Sequence, residues 1–254
     1  MIPSKSIDEV LLELDRIIEN SVQENNYLGI FAYIYRRTTA QIKEEIAKQT
    51  FDDNERMERF DTTFANFYLT AYQNYFQDLP VSASWKIAFD ARNENLTIIQ
   101  HLLMGMNAHI NLDLGVAAAR IMEGQSFPDL KTDFMKVNDI LAGLVNEMQI
   151  KIGRVSPLIF LLDWIGGRTD EKIIDFSMVK ARRYSWNTAT ALSKLDEADQ
   201  QQKINQVDQF VAELSELIRN PDSLILKFSI RFIRLFEERN LKRMIEKLEE
   251  PVKS

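Results

Sequence analysis

The stretch 95–122, NLTIIQHLLMGMNAHINLDLGVAAARIM, constrains the fold of this chain more than any other. Wound as an α-helix, it places Leu or Met on every side, and a helix that is apolar all round is a buried one. It also contains both histidines of the chain, His101 and His109. These polar side chains must find partners, because an unpaired polar group in a protein interior costs roughly 1–3 kcal/mol. The sequence therefore predicts a central buried helix with a polar cluster.

The spacing within this stretch indicates which polar groups can meet. His101, Gly105, His109 and Asp113 stand four residues apart and form one ridge of a helix. His101 and His109 are about 12 Å apart along the axis, too far to share one metal ion easily, so no metal site is predicted. His109 and Asp113 are neighbours, and Gly105 leaves a notch for a close approach. Asn111 and Asp113 are capping types, which leaves open a second helix that begins at Asp113.

The rest of the chain is predicted to be helical. Eight glycines and six prolines in 254 residues suit long helices better than a fold with many turns. We expect an all-α protein, with a single domain over 1–254 and about nine or ten helices around the central one. Residues 198–250 are predicted to form a C-terminal helical hairpin packed on it. Residues 224–233 alternate like a strand, but the helix formers that follow favour a helix.

Composition and missing motifs exclude several classes of function. The net charge of −7 argues against nucleic acid as a partner, and the absence of cysteine removes disulfides and thiolate chemistry. No apolar run approaches the roughly 20 residues of a transmembrane helix, and no signal peptide is evident, so a soluble cytoplasmic protein is expected. The motifs Glu-x-x-His, His-Glu-x-x-His, GxxxxGK[ST] and Gly-x-Ser-x-Gly are all missing.

Two further side chains are candidates for a site near the central helix. Asp61 falls inside the apolar arc of a helix that ends before Pro80, about 40° from Met57. An acid there must be paired or have a raised pKa. Two interpretations are open: a buried structural acid bonded to an arginine or tyrosine, or an active-site carboxylate. Arg37 follows Arg36 at the end of an aromatic segment, and the pair either clamps an anion or is solvated.

The C-terminal segment carries cations among aromatic residues. Lys227 and Arg231 alternate with Phe228 and Phe232, a pattern that fits a membrane surface or a partner. Glutamates from Glu237 onward offset this charge. The sequence therefore favours a docking helix or a homo-oligomer interface through the C-terminal helices.

Three segments resemble a bacterial family known as domain of unknown function 5995: GMNAHINLDL at 105–114, FDDNERMERFDTTFANFYLTAY at 51–72 and SWKIAFD at 84–90. The resemblance is good over about 27–122 and loose beyond. It implies no activity, only that certain residues belong to the family's characteristic pattern. These residues are Asn107, His109, Asp113, Asp61 and Trp85, with His101 a less certain member.

The sequence leaves three hypotheses. The leading one is a buried polar pocket that binds or acts on a small molecule, with or without a metal ion: His109 is the acid/base or ligand group, Asp113 orients it, and Asn107 hydrogen-bonds. Asp61 is a third catalytic candidate, and the further ligand-binding candidates are Arg37, His101, Asn111 and Trp85. The second hypothesis is a non-catalytic interaction protein with a structural histidine cluster. The third is a helical cofactor binder of the haem-oxygenase type. No cofactor is identified.

Overall fold

The computed structural model describes residues 3–123, 127–159, 161 and 178–252. Within these residues it contains eleven α-helices and no β-strand, which confirms the all-α prediction and is close to the nine or ten helices expected. The helices are α1 (Ile7–Glu24), α2 (Leu28–Ala47), α3 (Asn54–Phe76), α4 (Ala83–Asp90), α5 (Ile98–Ala108), α6 (Leu114–Ile121), α7 (Lys131–Val155), α8 (Met178–Leu192), α9 (Glu197–Arg219), α10 (Leu224–Arg234) and α11 (Leu241–Glu249).

The predicted central helix is α5 and α6 joined by one π turn, His109–Asp113. It begins with a capping box, in which the Thr97 side chain accepts from the Gln100 N–H and the Gln100 side chain accepts from the Thr97 N–H. The alternative of a new helix capped by Asp113 is not what forms, because the Asp113 side chain makes no cap. Instead the Leu114 N–H bonds to the His109 carbonyl, five residues back. The wider turn keeps the chain continuous.

Five helices surround this central helix: α2, α3 and α4 from the N-terminal half, and α8 and α9 from the C-terminal half. Gly105 provides the notch expected from the sequence, because a Cβ atom there would lie only 2.6 Å from Cγ of Phe31 on α2. Gly115 similarly allows α8 to approach, since a Cβ atom would lie 3.0 Å from the Ser185 carbonyl oxygen. Both sides of the central helix are therefore covered.

The remaining helices form an outer layer. Helices α1 and α2 pack against each other, and α11 packs on α7 and α2. The segment 198–250, expected to be a helical hairpin, contains three helices, of which α9 packs on α4 and α5. Residues 224–233 lie in α10, as predicted despite their strand-like alternation. No helix in the described residues is long and apolar enough to cross a membrane.

Candidate functional site

His109 and Asp113 form a buried pair within the π turn. His109 Nδ1 lies 3.0 Å from Asp113 Oδ2, and the Trp85 indole N–H donates to the same oxygen over 2.9 Å. An indole N–H can only donate, so Oδ2 acts as an acceptor. We therefore assign the imidazole proton to Nδ1, which leaves Nε2 as an unprotonated acceptor. The predicted role of Asp113, to orient His109, is what this geometry provides.

Aromatic rings enclose the His109 imidazole. The ring of Phe64 stacks on it with centroids 3.7 Å apart and an interplanar angle of 9°. The Tyr35 ring meets it edge-on at 4.4 Å, and Phe31 and Tyr68 complete the enclosure. Burial among these rings lowers the pKa of His109 well below its usual value, because it penalises the imidazolium. His109 is therefore a neutral imidazole in a fixed orientation.

A cavity of about 90 Å³ lies against this enclosure. Three buried polar atoms belong to residues that line it: Nε2 of His109, Oδ2 of Asp61 and the hydroxyl of Tyr35. None of the three makes a well-aligned hydrogen bond to a described residue, although the Thr39 hydroxyl lies close enough to that of Tyr35 to act against the rise in its pKa. Buried polar atoms are usually paired, so three such atoms around one cavity call for a specific explanation. The rest of the lining is almost entirely apolar.

Asp61 supplies the titratable carboxyl of this cavity. The residue as a whole is half-buried, but its Oδ2 is fully buried. Burial raises its pKa from 3.8 to about 7, and of the two outcomes expected for this acid the structure shows the raised pKa. Tyr35 also has a pKa well above its usual value, mainly through burial and then through the negative charge of Asp61. Asp61 therefore changes its protonation state near neutral pH.

A second cavity, of about 550 Å³, lies on the other side of the pair. Asp113 and Trp85 line it, together with Asn66, Asn74 and Arg120. Burial raises the pKa of Asp113 well above its usual value, although the hydrogen bond from Trp85 acts in the opposite direction. The His109–Asp113 pair thus separates a small apolar cavity from a larger, more polar one.

Asn107 and Asn111 are not brought to either cavity. The Asn107 amide donates to the Val211 carbonyl at 2.8 Å and to the Ser215 hydroxyl at 2.9 Å. Asn111 in turn donates to the Asn107 side-chain oxygen at 2.8 Å. These bonds tie the central helix to α9.

His101 and Arg37 also lie apart from the cavity. His101 stacks on Tyr27, with ring centroids 4.5 Å apart, and burial together with the nearby Arg234 lowers its pKa to about 3. Arg37 pairs with Glu147 over 3.3 Å at a partly exposed position. Trp85 lies beneath the pair, bonded to Asp113. Of the eight site residues expected from the sequence, the structure therefore groups four: His109, Asp113, Trp85 and Asp61.

Sequence reasoning missed three residues of the site. Tyr35 and Phe64 contact the His109 ring, and both belong to aromatic segments that the sequence marks only as core. Arg182 also lines the small cavity, where it donates to the Phe134 carbonyl at 2.7 Å and stacks over the Phe134 ring. Burial lowers its pKa to about 9. A buried arginine bonded to uncharged acceptors gives no signal in the sequence.

No group of three or more histidine, aspartate or glutamate side chains able to hold a metal ion occurs in the part of the chain that the structure describes. The small cavity offers an imidazole, a carboxyl group and a phenol, which can accept, hold and donate protons, and also the guanidinium of Arg182.

Comparison with known proteins gives one match. A family model described as "Family of unknown function (DUF5995)" matches residues 7–221. Neither the curated proteins nor the solved structures contain a match. The matched residues include every residue that lines the small cavity and the whole of α1 to α9, whereas α10 and α11 lie beyond the match.

Proposed function

We propose, given that this chain belongs to DUF5995, a family of unknown function, that its small cavity binds a small, mostly apolar molecule and exchanges protons with it. The observation that carries the proposal is the set of three buried polar atoms without a well-aligned hydrogen bond, on His109, Asp61 and Tyr35, in one cavity. The other residues that line it are apolar except for Thr38 and Arg182. A bound molecule with a single polar group would satisfy these atoms. Its apolar part would contact the surrounding aromatic and aliphatic side chains.

The three groups have complementary roles in this proposal. His109 Nε2 accepts a proton or a hydrogen bond, because its proton is held on Nδ1 by Asp113. Asp61, with a pKa of about 7, serves as the donor in its protonated form and as a second base when ionised. The Tyr35 hydroxyl stays protonated and donates, since its pKa is raised well above its usual value. The reaction class is general acid/base chemistry.

A purely structural cluster accounts for only part of the site. It explains Asn107 and Asn111, whose amide groups bond across to α9 or to each other. It does not explain why His109, Asp61 and Tyr35 keep unpaired atoms in the interior, each at a cost of roughly 1–3 kcal/mol. The haem-type hypothesis has less support, because about 90 Å³ is well below the roughly 300–1,000 Å³ of pockets that hold drug-sized ligands.

Titration with small probes tests the proposal. The probes are isobutyramide, isobutyric acid and isopropanol, each with a compact apolar part and one polar group. Binding is measured from the chemical shifts of the imidazole resonances of the two histidines. We expect a saturable shift of the His109 resonances in the wild-type protein and its loss in Asp61→Asn. The matched control is His101→Gln, which removes the other buried histidine and leaves the cavity intact. If no probe shifts His109, or if Asp61→Asn binds as well as wild type, the proposal is wrong.

A further inference from the structure

Helix α10 exposes an unusually apolar face. Phe228 is 68% exposed and Phe232 is 50% exposed, although large aromatic side chains are normally buried. Ile233 and Leu226 on the opposite face are buried and anchor the helix to the protein. The exposed apolar face, hereafter the α10 face, consists of Leu224, Ile225, Phe228 and Phe232 on the helix and of Leu235 and Phe236 in the turn that follows it. The four helical positions form a contiguous patch, because they fall within about 100° of one another around the helix.

Cations follow one edge of the α10 face. At 100° per residue, Lys227, Arg231 and Arg234 fall together between the exposed and the buried faces of the helix. No acid interrupts them, since residues 223–236 contain these three cations and no Asp or Glu. This is a marked local excess in a chain whose net charge is −7.

The same cations line a cavity of about 550 Å³ beside α10. Its walls also include Arg239 and Arg219, and the one acid among them, Glu94, is paired with Arg219. Lys227, Arg231 and Arg239 form no ion pair with any described residue. Their positive charge is therefore available to an external anion.

The glutamates that follow α10 neutralise only Arg234 on this edge. Glu237 is buried, where it pairs with Arg234 and accepts hydrogen bonds from Ser156 and the Ile98 N–H. Glu238 pairs with Lys247. The sequence argument that these acids offset the cations therefore fails for Lys227 and Arg231.

We propose that α10 docks on the surface of a membrane that contains anionic phospholipid. The α10 face enters the boundary between headgroups and acyl chains, and the basic cavity takes a headgroup phosphate. An amphipathic helix with Phe and Leu on one face and Lys or Arg along its edge suits this position. Lys and Arg near an anionic membrane add an attraction that falls with salt. The proposal is independent of the small cavity, whose lining shares no residue with α10.

A second copy of the chain fits the same face less well. A helix of 11 residues is about 16 Å long and roughly 10 Å wide, so its exposed side covers a few hundred Å² at most. A stable interface usually buries about 800 Å² on each partner. In an antiparallel two-fold pair the basic edges would also lie on the same side of the interface, and like charges oppose association.

Vesicle flotation tests the proposal with the full chain. We expect the wild-type protein to bind vesicles of phosphatidylcholine and phosphatidylglycerol, to bind phosphatidylcholine alone much more weakly, and to release when the salt concentration is raised. The double variant Phe228→Ser/Phe232→Ser should lower partitioning at least tenfold on both kinds of vesicle. Lys227→Gln/Arg231→Gln should lower it about twenty-five-fold on the anionic vesicles only, at about fivefold per cation.

Matched controls separate docking from general surface effects. Leu12→Ser removes an exposed apolar side chain on α1, and Lys194→Gln/Lys203→Gln removes two cations elsewhere. Both controls should bind like wild type, and all variants should keep the wild-type melting temperature, because the changed side chains are not buried. Absence of binding to anionic vesicles, or equal binding by the α10 variants, would overturn the proposal. A different pair of results would also overturn it: the wild-type protein sediments as a dimer that Phe228→Ser/Phe232→Ser dissociates, and it does not bind vesicles. That outcome would assign the α10 face to a second copy of the chain.

Discussion

His109 Nδ1 and Asp113 Oδ2 lie 3.0 Å apart inside a single π turn of the central helix. The two residues are four apart in sequence, and the wider π turn places such side chains more nearly above one another than an α turn does. The pair can therefore form without help from a second helix, and Trp85 then fixes which oxygen accepts.

Asp113→Asn should keep the tautomer of His109. Trp85 and Nδ1 bond to the same oxygen of Asp113, so the amide oxygen will take that position and accept from both donors. Asp113→Leu should remove the preference for a proton on Nδ1, because it offers neither donor an acceptor. Long-range proton–nitrogen spectra should show an unprotonated Nε2 in wild type and in Asp113→Asn, with His101 unchanged as internal control. A protonated Nε2 in wild type would contradict the assignment. We expect Asp113→Asn to cost about 1 kcal/mol in unfolding free energy and Asp113→Leu roughly 1–3 kcal/mol, because only the second leaves a buried donor without an acceptor.

Asp61 should make the protein less stable as the pH rises. Its folded pKa of about 7 lies above the usual value of 3.8, so between these two values the folded state binds more protons than the unfolded state. Stability is then lost as pH increases through this window. Asp61→Asn carries no charge, so its stability relative to wild type should grow by about 2 kcal/mol between about pH 4 and pH 8. This is roughly half of the full conversion of the shift, because Asp61 is only half-buried.

Urea unfolding of both proteins across this pH range measures the effect. The comparison isolates Asp61, because every other titrating group is common to the two proteins. Curves that run parallel from low to high pH would show that the Asp61 carboxyl is solvated or paired in the folded state.

Much of the architecture could be predicted from the sequence, because the signals for helices are local. The Ser6 side chain caps α1 by accepting from the Glu9 N–H, and the pairing of His109 with Asp113 follows from a spacing of four. Asp61 was marked by a charge within an apolar arc. Each of these inferences depends only on residues within a few turns of one helix.

The partners of the polar groups could not be predicted in the same way. Asn107 lies in the same helix as His109, yet it bonds to Val211, 104 positions away in sequence. Tyr35 and Phe64 reach the imidazole from α2 and α3. One helix thus carries structural and candidate catalytic groups on different faces, and only the packing of other helices decides which group keeps a free atom.

Gly105→Ala should destabilise the protein although alanine is the better helix former. A Cβ atom at this position would lie 2.6 Å from Phe31 Cγ, closer than atoms pack, and Phe31 in turn contacts His109. We expect a loss of about 1–3 kcal/mol from overpacking, against a gain of about 1 kcal/mol in helix propensity. Gly143→Ala on α7 is the matched control, because nothing lies within 4 Å of its Cβ position. Thermal unfolding should show Gly105→Ala below wild type and Gly143→Ala at or above it, and equal behaviour would contradict the close contact.

Asp133 should respond to neutralisation in the opposite way from Asp61. It is completely buried, but its carboxylate accepts from the backbone N–H groups of Asp52 and Asp53 at 2.7 and 3.1 Å, and from Arg56 at 2.9 Å. Removing one charge of a buried pair leaves the other uncompensated. Asp133→Asn should therefore lower the unfolding free energy by about 3 kcal/mol near pH 8. At the same pH, Asp61→Asn should be more stable relative to wild type than it is at low pH.

The double variant Asp133→Asn/Arg56→Met identifies the cause of that loss. Replacing both charges removes the uncompensated guanidinium, so the double variant should recover part of the stability that Asp133→Asn loses. Urea unfolding of the four proteins in this cycle measures the coupling between Asp133 and Arg56. Asp133→Asn and Asp61→Asn should change the unfolding free energy near pH 8 in opposite directions. Equal changes would contradict the distinction between a buried acid with partners and one without them, and Asp61 would then give no support to a ligand in the small cavity.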